Sequence, residues 1–241
     1  MFALHNVPSD SSISVLLGLS LLSGAGTFLG AVLALFLPIH RAMPFLTGFA
    51  AGVMSGVIVL ELLPASIKLG GMSASLSGGL AGTALLFAAD MILKPPLTDQ
   101  AASYRRLGWL LFFGIALHDF PEGMAIGTGG AVTADLGIFL AAAIGIHNLP
   151  EGLVNAAPLL LGGLNPAGII ALNALLSLVT PAGTLAGLGL AKWEPRLIPA
   201  MLALAAGAMA YIIVKELLPR MIKQRGTAGF ITGLLIIILL L

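Results

Sequence analysis

The sequence contains no cysteine in its 241 residues. Without thiols the chain can form no disulfide bond, and it offers no thiolate ligand to a metal ion. Any metal that this chain binds must therefore be held by imidazole, carboxylate, amide or thioether groups.

Charged residues are also scarce, at 9% of the chain, whereas hydrophobic residues make up 59%. Soluble domains carry about 25% charged and about 50% apolar residues, so this composition predicts a chain surrounded by lipid. The net charge of +1 gives no electrostatic reason to expect nucleic acid as a partner. Residues 1–12 contain no lysine or arginine, and we therefore expect a retained first helix rather than a cleaved signal peptide.

Long apolar runs dominate what is present, and they predict an all-α polytopic membrane protein. Most of the runs reach the length of about 20 residues that a helix needs to cross a bilayer. We expect eight transmembrane helices, at residues 12–37, 44–63, 74–93, 107–128, 136–161, 165–190, 197–219 and 227–241. No polar linker or soluble segment separates them, so residues 1–241 are expected to form a single transmembrane domain.

The few loop charges predict the orientation of these helices. If both termini lie outside, the cytoplasmic loops hold seven basic residues, namely Arg41, Lys94, Arg105, Arg106, Arg220, Lys223 and Arg225. The outer loops then hold three, namely Lys68, Lys192 and Arg196. Cytoplasmic loops carry the excess of lysine and arginine in membrane proteins, so we expect both the N- and the C-terminus outside.

A shift of 155 residues aligns residues 50–68 with residues 205–223, and both copies contain Glu-Leu-Leu-Pro near their ends. In the eight-helix topology the two copies run in opposite directions, which predicts an inverted repeat of helices 1–3 and 6–8 around helices 4 and 5. Inverted repeats are typical of carriers that bind their substrate between the two halves. The repeat places Glu61 near the outer face and Glu216 near the inner face, where each serves metal entry or exit, or merely extends to the interface.

Two near-copies of one motif lie 29 residues apart within predicted helices 4 and 5. They read His-Asp-Phe-Pro-Glu-Gly from His118 and His-Asn-Leu-Pro-Glu-Gly from His147. Residues three and four apart share one face of a helix, so each motif presents its polar side chains together. The candidate metal ligands are His118, Asp119, Glu122, His147, Asn148 and Glu151.

These donors favour Zn²⁺, Cd²⁺, Fe²⁺ or Mn²⁺ over Ca²⁺ and Mg²⁺, which prefer shells made only of oxygen. Ionisable residues inside a membrane are costly and call for a functional explanation. Transport of the metal is one explanation. An intramembrane metallohydrolase, with a metal-activated water and Glu122 or Glu151 as base, is the alternative. Matched acids near opposite faces, Glu61 and Glu216, favour transport. For Asp90, pairing with Lys94 and a role in the pathway both remain open.

The two motifs, the eight predicted helices and both termini outside resemble the ZIP (Zrt-, Irt-like protein) family of divalent metal transporters, in its prokaryotic branch. The resemblance implies a binuclear site between helices 4 and 5, within the inner membrane of a prokaryote. One subsite would use His118, Glu122, His147 and Glu151, and the other Asp119, Glu122, Asn148 and Glu151.

The resemblance also implies transport toward the cytoplasm, with the metal as substrate and no organic cofactor. A homodimer stays open. Family members often supply a further carboxylate from helix 6, where this chain has Thr180. Ser177 and Asn173, one and two turns earlier, could offer oxygens instead. The second subsite is therefore expected to be weak or absent.

Overall fold

The computed structural model describes residues 10–93, 99–193 and 197–240. Within these residues the chain forms ten α-helices and two short π-helical turns, and it contains no β-strand. The α-helices are α1 (Asp10–Ala34), α2 (Ile39–Val57), α3 (Leu63–Ile92), α4 (Gln100–Val132), α5 (Ala134–Leu161), α6 (Pro166–Ser177), α7 (Val179–Trp193), α8 (Leu197–Ile212), α9 (Leu218–Gln224) and α10 (Thr227–Leu240). The π turns are Ile58–Leu62 and Ile213–Leu217.

Five helical stretches of the described chain are long and apolar enough to cross a membrane, and the shorter α10 is apolar as well. These stretches are Ile13–Ala34, Ile39–Ile92, Ala134–Leu161, Pro166–Gly189 and Leu197–Gln224. Helix α4 is not one of them, because the polar residues of its motif interrupt its apolar run. The all-α polytopic membrane fold is thus confirmed.

The stretch Ile39–Ile92 is 54 residues long. A continuous helix of that length would measure about 80 Å at 1.5 Å per residue, far more than the roughly 30 Å of a bilayer core. Gly71 interrupts it with φ 74° and ψ 174°, a conformation that a residue with a Cβ rarely adopts. The break supports two crossings here, as the sequence predicts, and the total of eight stays a prediction.

The two π turns occupy equivalent positions in the predicted repeat and carry Glu61 and Glu216. Each is followed by the proline of Glu-Leu-Leu-Pro, Pro64 or Pro219. Proline cannot donate to the carbonyl four residues earlier and collides with it, so the helix widens by one residue. The N–H of the residue after the first turn accordingly donates to the carbonyl of Ile58. Equal turns at equal positions support the inverted repeat, which itself stays a prediction.

The helices pack in two groups that touch each other. Helices α1, α4, α5, α6 and α7 form the first group, in which α1 pairs with α5 and α4 with α7. Helices α2, α3, α8 and α10 form the second group, in which α3 pairs with α8 and α2 with α10. In the predicted repeat, α1 corresponds to α6 and α7, α2 to α8, α3 to α10, and α4 to α5. The α1–α5 pair therefore corresponds to the α4–α7 pair, and the α3–α8 pair to the α2–α10 pair. The contacts between the groups support a single domain spanning the chain.

Glycine brings the helices of the first group into backbone contact. A Cβ added at Gly152 in α5 would collide with the carbonyl oxygen of Thr27 in α1. A Cβ at Gly123 in α4 would collide in the same way with the carbonyl of Thr180 in α7. Such close packing of small residues is how membrane helices associate. It fixes the residue before each glycine, which is the glutamate of each motif.

Candidate metal centre

A one-residue connection between α4 and α5 places the two motifs at the same depth. Helix α4 ends at Val132 and α5 begins at Ala134, with Thr133 between them. The Thr133 hydroxyl accepts a hydrogen bond from the N–H of Leu136 at 3.2 Å and so caps α5. His118 precedes Thr133 by 15 residues and His147 follows it by 14, so the antiparallel helices place both histidines at the same depth.

Histidine and glutamate pair reciprocally across the two helices. The Nε2 atom of His118 lies 3.1 and 3.0 Å from the two carboxylate oxygens of Glu151. The Nε2 atom of His147 lies 3.1 Å from Oε2 of Glu122. Each histidine therefore meets the glutamate of the facing helix, and the four side chains of the predicted first subsite lie together.

The second ring nitrogen of His118 is held by the backbone. Its Nδ1 atom lies 3.0 Å from the carbonyl oxygen of Gly114, which can only accept a hydrogen bond. Nδ1 therefore carries a hydrogen, and Nε2 is the atom turned to the carboxylate of Glu151. Metal-binding histidines typically donate their other N–H to a carbonyl in this way, which fixes the ring for coordination.

Asp119 and Asn148 supply oxygens next to these pairs. One ligand atom each from His118, Asp119 and Glu122 fall within 4.8 Å of one another, close enough to share a metal ion. Asn148 donates from Nδ2 to the carbonyl of Ser23 at 3.2 Å, which leaves its Oδ1 available. The structure thus brings five of the predicted residues together, and the sixth, Asn148, is buried next to His147 on α5.

Several oxygens at the centre are buried without a hydrogen-bond partner. They are both carboxylate oxygens of Asp119, Oε1 of Glu122 and Oδ1 of Asn148, although Oδ1 of Asp119 lies 3.3 Å from Nε2 of His118. A buried polar atom left unpaired is costly, and coordination to a cation removes that cost. These atoms belong to the residues expected at the second subsite, so the donor set there fits a cation.

The centre is shielded from water. His118, Asp119 and Asn148 are fully buried, and Glu151 is the most exposed of the six at 5%. The cavity beside Glu151 has room for only about 10 Å³ and is lined by the apolar residues Ala50, Val53, Met54, Leu111, Ile115, Pro150 and Val154. That space is about the smallest that holds one water molecule. Helix α2 therefore covers the centre from the second helix group.

Thr180, Ser177 and Asn173 differ in whether their side-chain oxygens are free to bind a metal ion. Asn173 donates to the carbonyl of Ile169 at 2.9 Å and accepts from Asn155 at 3.2 Å, and Ser177 donates to the carbonyl of Asn173 at 2.9 Å. The hydroxyl of Thr180 is fully buried and has no partner. Of these three residues, Thr180 is therefore the one whose oxygen stays free.

The two repeat glutamates lie in different surroundings. Glu61 is half-buried, and its charge interacts with those of Glu122, His147 and Glu151. Glu216 is 5% exposed and forms ion pairs with Arg106 at 2.9 Å and Arg220 at 3.3 Å. The interpretation that Glu216 merely extends to the interface is therefore wrong, because its carboxylate is buried and neutralised within the protein.

Asp90 is held by residues that lie far from it in the sequence. Its carboxylate pairs with Arg106 and accepts a hydrogen bond from the Tyr211 hydroxyl at 2.7 Å. The alternative partner, Lys94, lies outside the described residues. A signal for the observed pairing was available, because the predicted topology places Asp90, Arg106 and Glu216 on one membrane side with opposite charges.

Four arginines expected in loops lie within helices. Arg41 belongs to α2, Arg105 and Arg106 belong to α4, and Arg220 belongs to α9. The sequence predicts longer loops at these helix ends, because the apolar residues stop before the helices do. Helices of membrane proteins continue beyond the apolar core when their charged residues find partners, as Arg106 and Arg220 do here.

Comparisons with known proteins agree with this geometry. A family model described as ZIP zinc transporter matches residues 95–241. The chain is 36% identical over 230 residues to a protein named zinc transporter ZupT from Escherichia fergusonii, with 86% of each chain covered. It is 35% identical over 227 residues to the protein of the same name from Enterobacter sp. (strain 638), again with 86% of each covered. The chain is therefore a multi-pass membrane protein and a transporter rather than an enzyme, and it belongs to the ZIP zinc transporter family.

Proposed function

We propose that the protein is a secondary transporter that carries Zn²⁺, or a similar divalent transition metal, across the membrane toward the cytoplasm. The metal binds between α4 and α5 and crosses by alternating access. The observation that carries this proposal is the reciprocal pairing of His118 with Glu151 and of His147 with Glu122. Two imidazoles and two carboxylates in contact, fully enclosed by apolar helices, form a donor set suited to zinc.

The pairing indicates how such a site accepts its substrate. Each Nε2 atom faces a carboxylate oxygen, and a hydrogen must lie between them, because two sets of lone pairs repel each other at 3.0–3.1 Å. In the metal-free protein that hydrogen is a proton held by the pair. A divalent cation binds the same two atoms, so metal entry displaces protons from the pairs.

A second metal position lies beside the first. The unpartnered oxygens of Asp119, Asn148 and Glu122 support it. Thr180 contributes at most a neutral hydroxyl where a carboxylate would bind more strongly. The second position therefore carries less negative charge than a shell completed by a glutamate, and we infer that it binds metal more weakly than the first.

The donors set the range of metals. Imidazole and carboxylate ligands bind Zn²⁺, Cd²⁺, Fe²⁺ and Mn²⁺. The relative affinities of these metals follow a general order that holds for most such sites, so the donors alone do not select one metal. The family and the two ZupT relatives, whose printed names specify zinc, favour Zn²⁺ as the main substrate. We expect no organic cofactor, since the metal is the cargo and the donor set is complete without one.

The surrounding membrane and orientation follow from charge. The bacterial relatives and the apolar helices favour the inner membrane of a prokaryote. The basic residues Arg105, Arg106 and Arg220 favour the cytoplasm for the end of the molecule that carries them, with both termini outside. The homodimer stays a prediction.

Zinc uptake into proteoliposomes tests the proposal. The wild type is compared with Glu122→Ala and Glu151→Ala, using a panel of Zn²⁺, Cd²⁺, Fe²⁺ and Mn²⁺. Gly18→Ala in α1 is the control, because nothing lies within 4 Å of its added methyl group. We expect uptake in the wild type and the control and its loss in both glutamate variants. Unchanged flux in both variants would refute the proposal.

A further inference from the structure

We propose that Arg106 is a gate residue: its ion pairs with Asp90 and Glu216 close one end of the metal path and must break for each metal ion to pass. The inference rests on the proposed transport function. The four residues Asp90, Arg106, Glu216 and Arg220 are called the arginine network below.

The network saturates both of its carboxylates. Arg106 donates from Nη1 to Oε1 of Glu216 at 2.9 Å and from Nη2 to Oδ1 of Asp90. The Tyr211 hydroxyl donates to the other oxygen of Asp90 at 2.7 Å, and Arg220 lies 3.3 Å from the other oxygen of Glu216. Every carboxylate oxygen of the network thus has a partner, and none is left for a metal ion.

The network joins the two helix groups. Arg106 belongs to α4, the helix that carries His118, Asp119 and Glu122 in the first group. Asp90 lies in α3 of the second group, and Glu216 lies in the second π turn, which follows α8 and packs against α8 and α2 of that group. Motion of the metal-bearing group relative to the other must therefore break the pairs of Arg106.

The network lies on the path that a leaving ion would take. Arg106 precedes His118 by twelve residues, which places it about 18 Å along α4 at 1.5 Å per residue. Beyond the network a cavity of about 740 Å³ is lined by residues that include Ser103, Arg106, Glu216 and Arg220. The arginine network therefore separates the enclosed metal centre from a wide polar vestibule.

The opposite end of the path has the reverse charge. Asp135 precedes His147 by twelve residues, as Arg106 precedes His118, so the predicted repeat makes Asp135 the counterpart of Arg106. Glu61 is the counterpart of Glu216, and no basic residue within the described ranges forms an ion pair with it. Among the described residues, the two carboxylates at this end thus have no arginine partner and attract cations, whereas the other end is held shut by a guanidinium.

Arginine suits this task for a chemical reason. The guanidinium stays protonated in proteins, so Arg106 cannot release its partners by losing a proton and can only move away. A divalent cation approaching Glu216 repels the guanidinium and competes for the same oxygens. Metal arrival thus weakens the closed state, and metal departure restores it.

The first test measures whether the gate is open. The chain has no cysteine, so a single reporter can be placed without removing others. Leu110 is fully buried one helical turn from Arg106 toward the metal centre, and Leu110→Cys provides that reporter. The rate of its reaction with a charged, membrane-impermeant maleimide is measured in the purified protein, with and without Arg106→Gln. We expect labelling at least ten times faster with Arg106→Gln.

Arg105→Gln is the matched control, since the neighbouring Arg105 is exposed and, among the described residues, its side chain donates only to the carbonyl of Gly162 at 3.4 Å. Its labelling is expected to equal that of the reporter protein alone. Glu216→Gln is a second route to the open gate if Arg106→Gln fails to fold. Labelling of both Arg106→Gln and Glu216→Gln at the rate of the Leu110→Cys protein alone would overturn the proposal, and so would equal acceleration by Arg105→Gln.

The second test measures transport. Arg106→Gln should lower the turnover number for zinc uptake severalfold with little change in KM, because the metal centre itself is untouched. Arg106→Lys should recover only part of the turnover, since an ammonium cannot span two carboxylates as a guanidinium does. A purely structural brace would instead lower the amount of folded protein and leave the turnover of the remainder intact. Uptake by the wild type and its loss in Glu122→Ala and Glu151→Ala decide the proposed function, and neither result depends on Arg106, so the two hypotheses fail separately.

Discussion

Glu151 in α5 meets the Nε2 atom of His118 in α4 with both of its carboxylate oxygens, at 3.1 and 3.0 Å. The helices exchange ligands, because His147 in α5 likewise meets Glu122 in α4. A metal bound by either pair therefore bridges two helices rather than one. Binding and the relative position of α4 and α5 are thus coupled.

This pairing predicts which residues depend on each other in the metal-free protein. In a double-mutant cycle of thermal unfolding, His118→Gln and Glu151→Gln should show a coupling energy of about 0.5–3 kcal/mol, as directly contacting residues do. His118→Gln and Glu216→Gln, which share no partner, should be additive within about 0.5 kcal/mol. Equal coupling in the two cycles would contradict the cross-helix pairing.

The sequence predicts this centre well because its signal is local. Residues four apart on a helix share a face, and the motif repeats on two helices joined by a short connection. That pattern suffices to select His118, Glu122, His147 and Glu151. It does not show that each histidine chooses the glutamate of the other helix, since that choice depends on how α4 and α5 are rotated about their axes.

The sequence does not predict the arginine network, because the contacts in that network are not local. Asp90, Arg106 and Glu216 come from three helical segments that are far apart in sequence, and only tertiary packing brings them together. The π turns were also missed, although their cause is local. A proline within a helix disturbs the turn before it, and Pro64 and Pro219 mark both places in the sequence.

The proposed second metal position should respond to substitution of Thr180. Thr180→Asp places a carboxylate of similar size where an unpartnered hydroxyl now lies, so the protein should bind a second equivalent of Zn²⁺ more tightly. Thr180→Val keeps the shape of the side chain and removes the oxygen, so the first equivalent should bind as before. Metal content after equilibrium dialysis measures both. An unchanged stoichiometry and affinity in Thr180→Asp would show that helix α7 contributes nothing to the centre.

The π turns should control where their glutamates point. Pro219→Ala restores an N–H and allows an ordinary α turn, which rotates Glu216 by about one residue, or roughly 100°, relative to the following helix. We expect zinc uptake to fall severalfold, because the rotation takes Glu216 away from Arg106 and Arg220. The loss of these buried ion pairs offsets the roughly 3 kcal/mol gained by removing a proline from a helix, so the melting temperature should change little.

Pro166→Ala is the control for that experiment, since Pro166 occupies the first turn of α6, is exposed and causes no π turn. Its uptake should match the wild type. Full activity in Pro219→Ala would show that the wide turn is tolerated rather than used.

Close packing behind the motifs should be as important as the ligands themselves. A methyl group at Gly152 would overlap the backbone of Thr27, so Gly152→Ala must push α1 away from α5 and displace Glu151, the preceding residue. A misplacement of about 1 Å in a functional group can cost about 100-fold in rate, so we expect zinc uptake to fall by at least tenfold.

Gly18→Ala in α1 provides the comparison for Gly152→Ala, because nothing lies within 4 Å of its added methyl group. Alanine there should leave uptake unchanged and stabilise the helix by about 0.5–1 kcal/mol. Uptake and melting temperature of both variants decide the matter: if Gly152→Ala transports zinc as well as Gly18→Ala, the backbone contact does not position the metal centre.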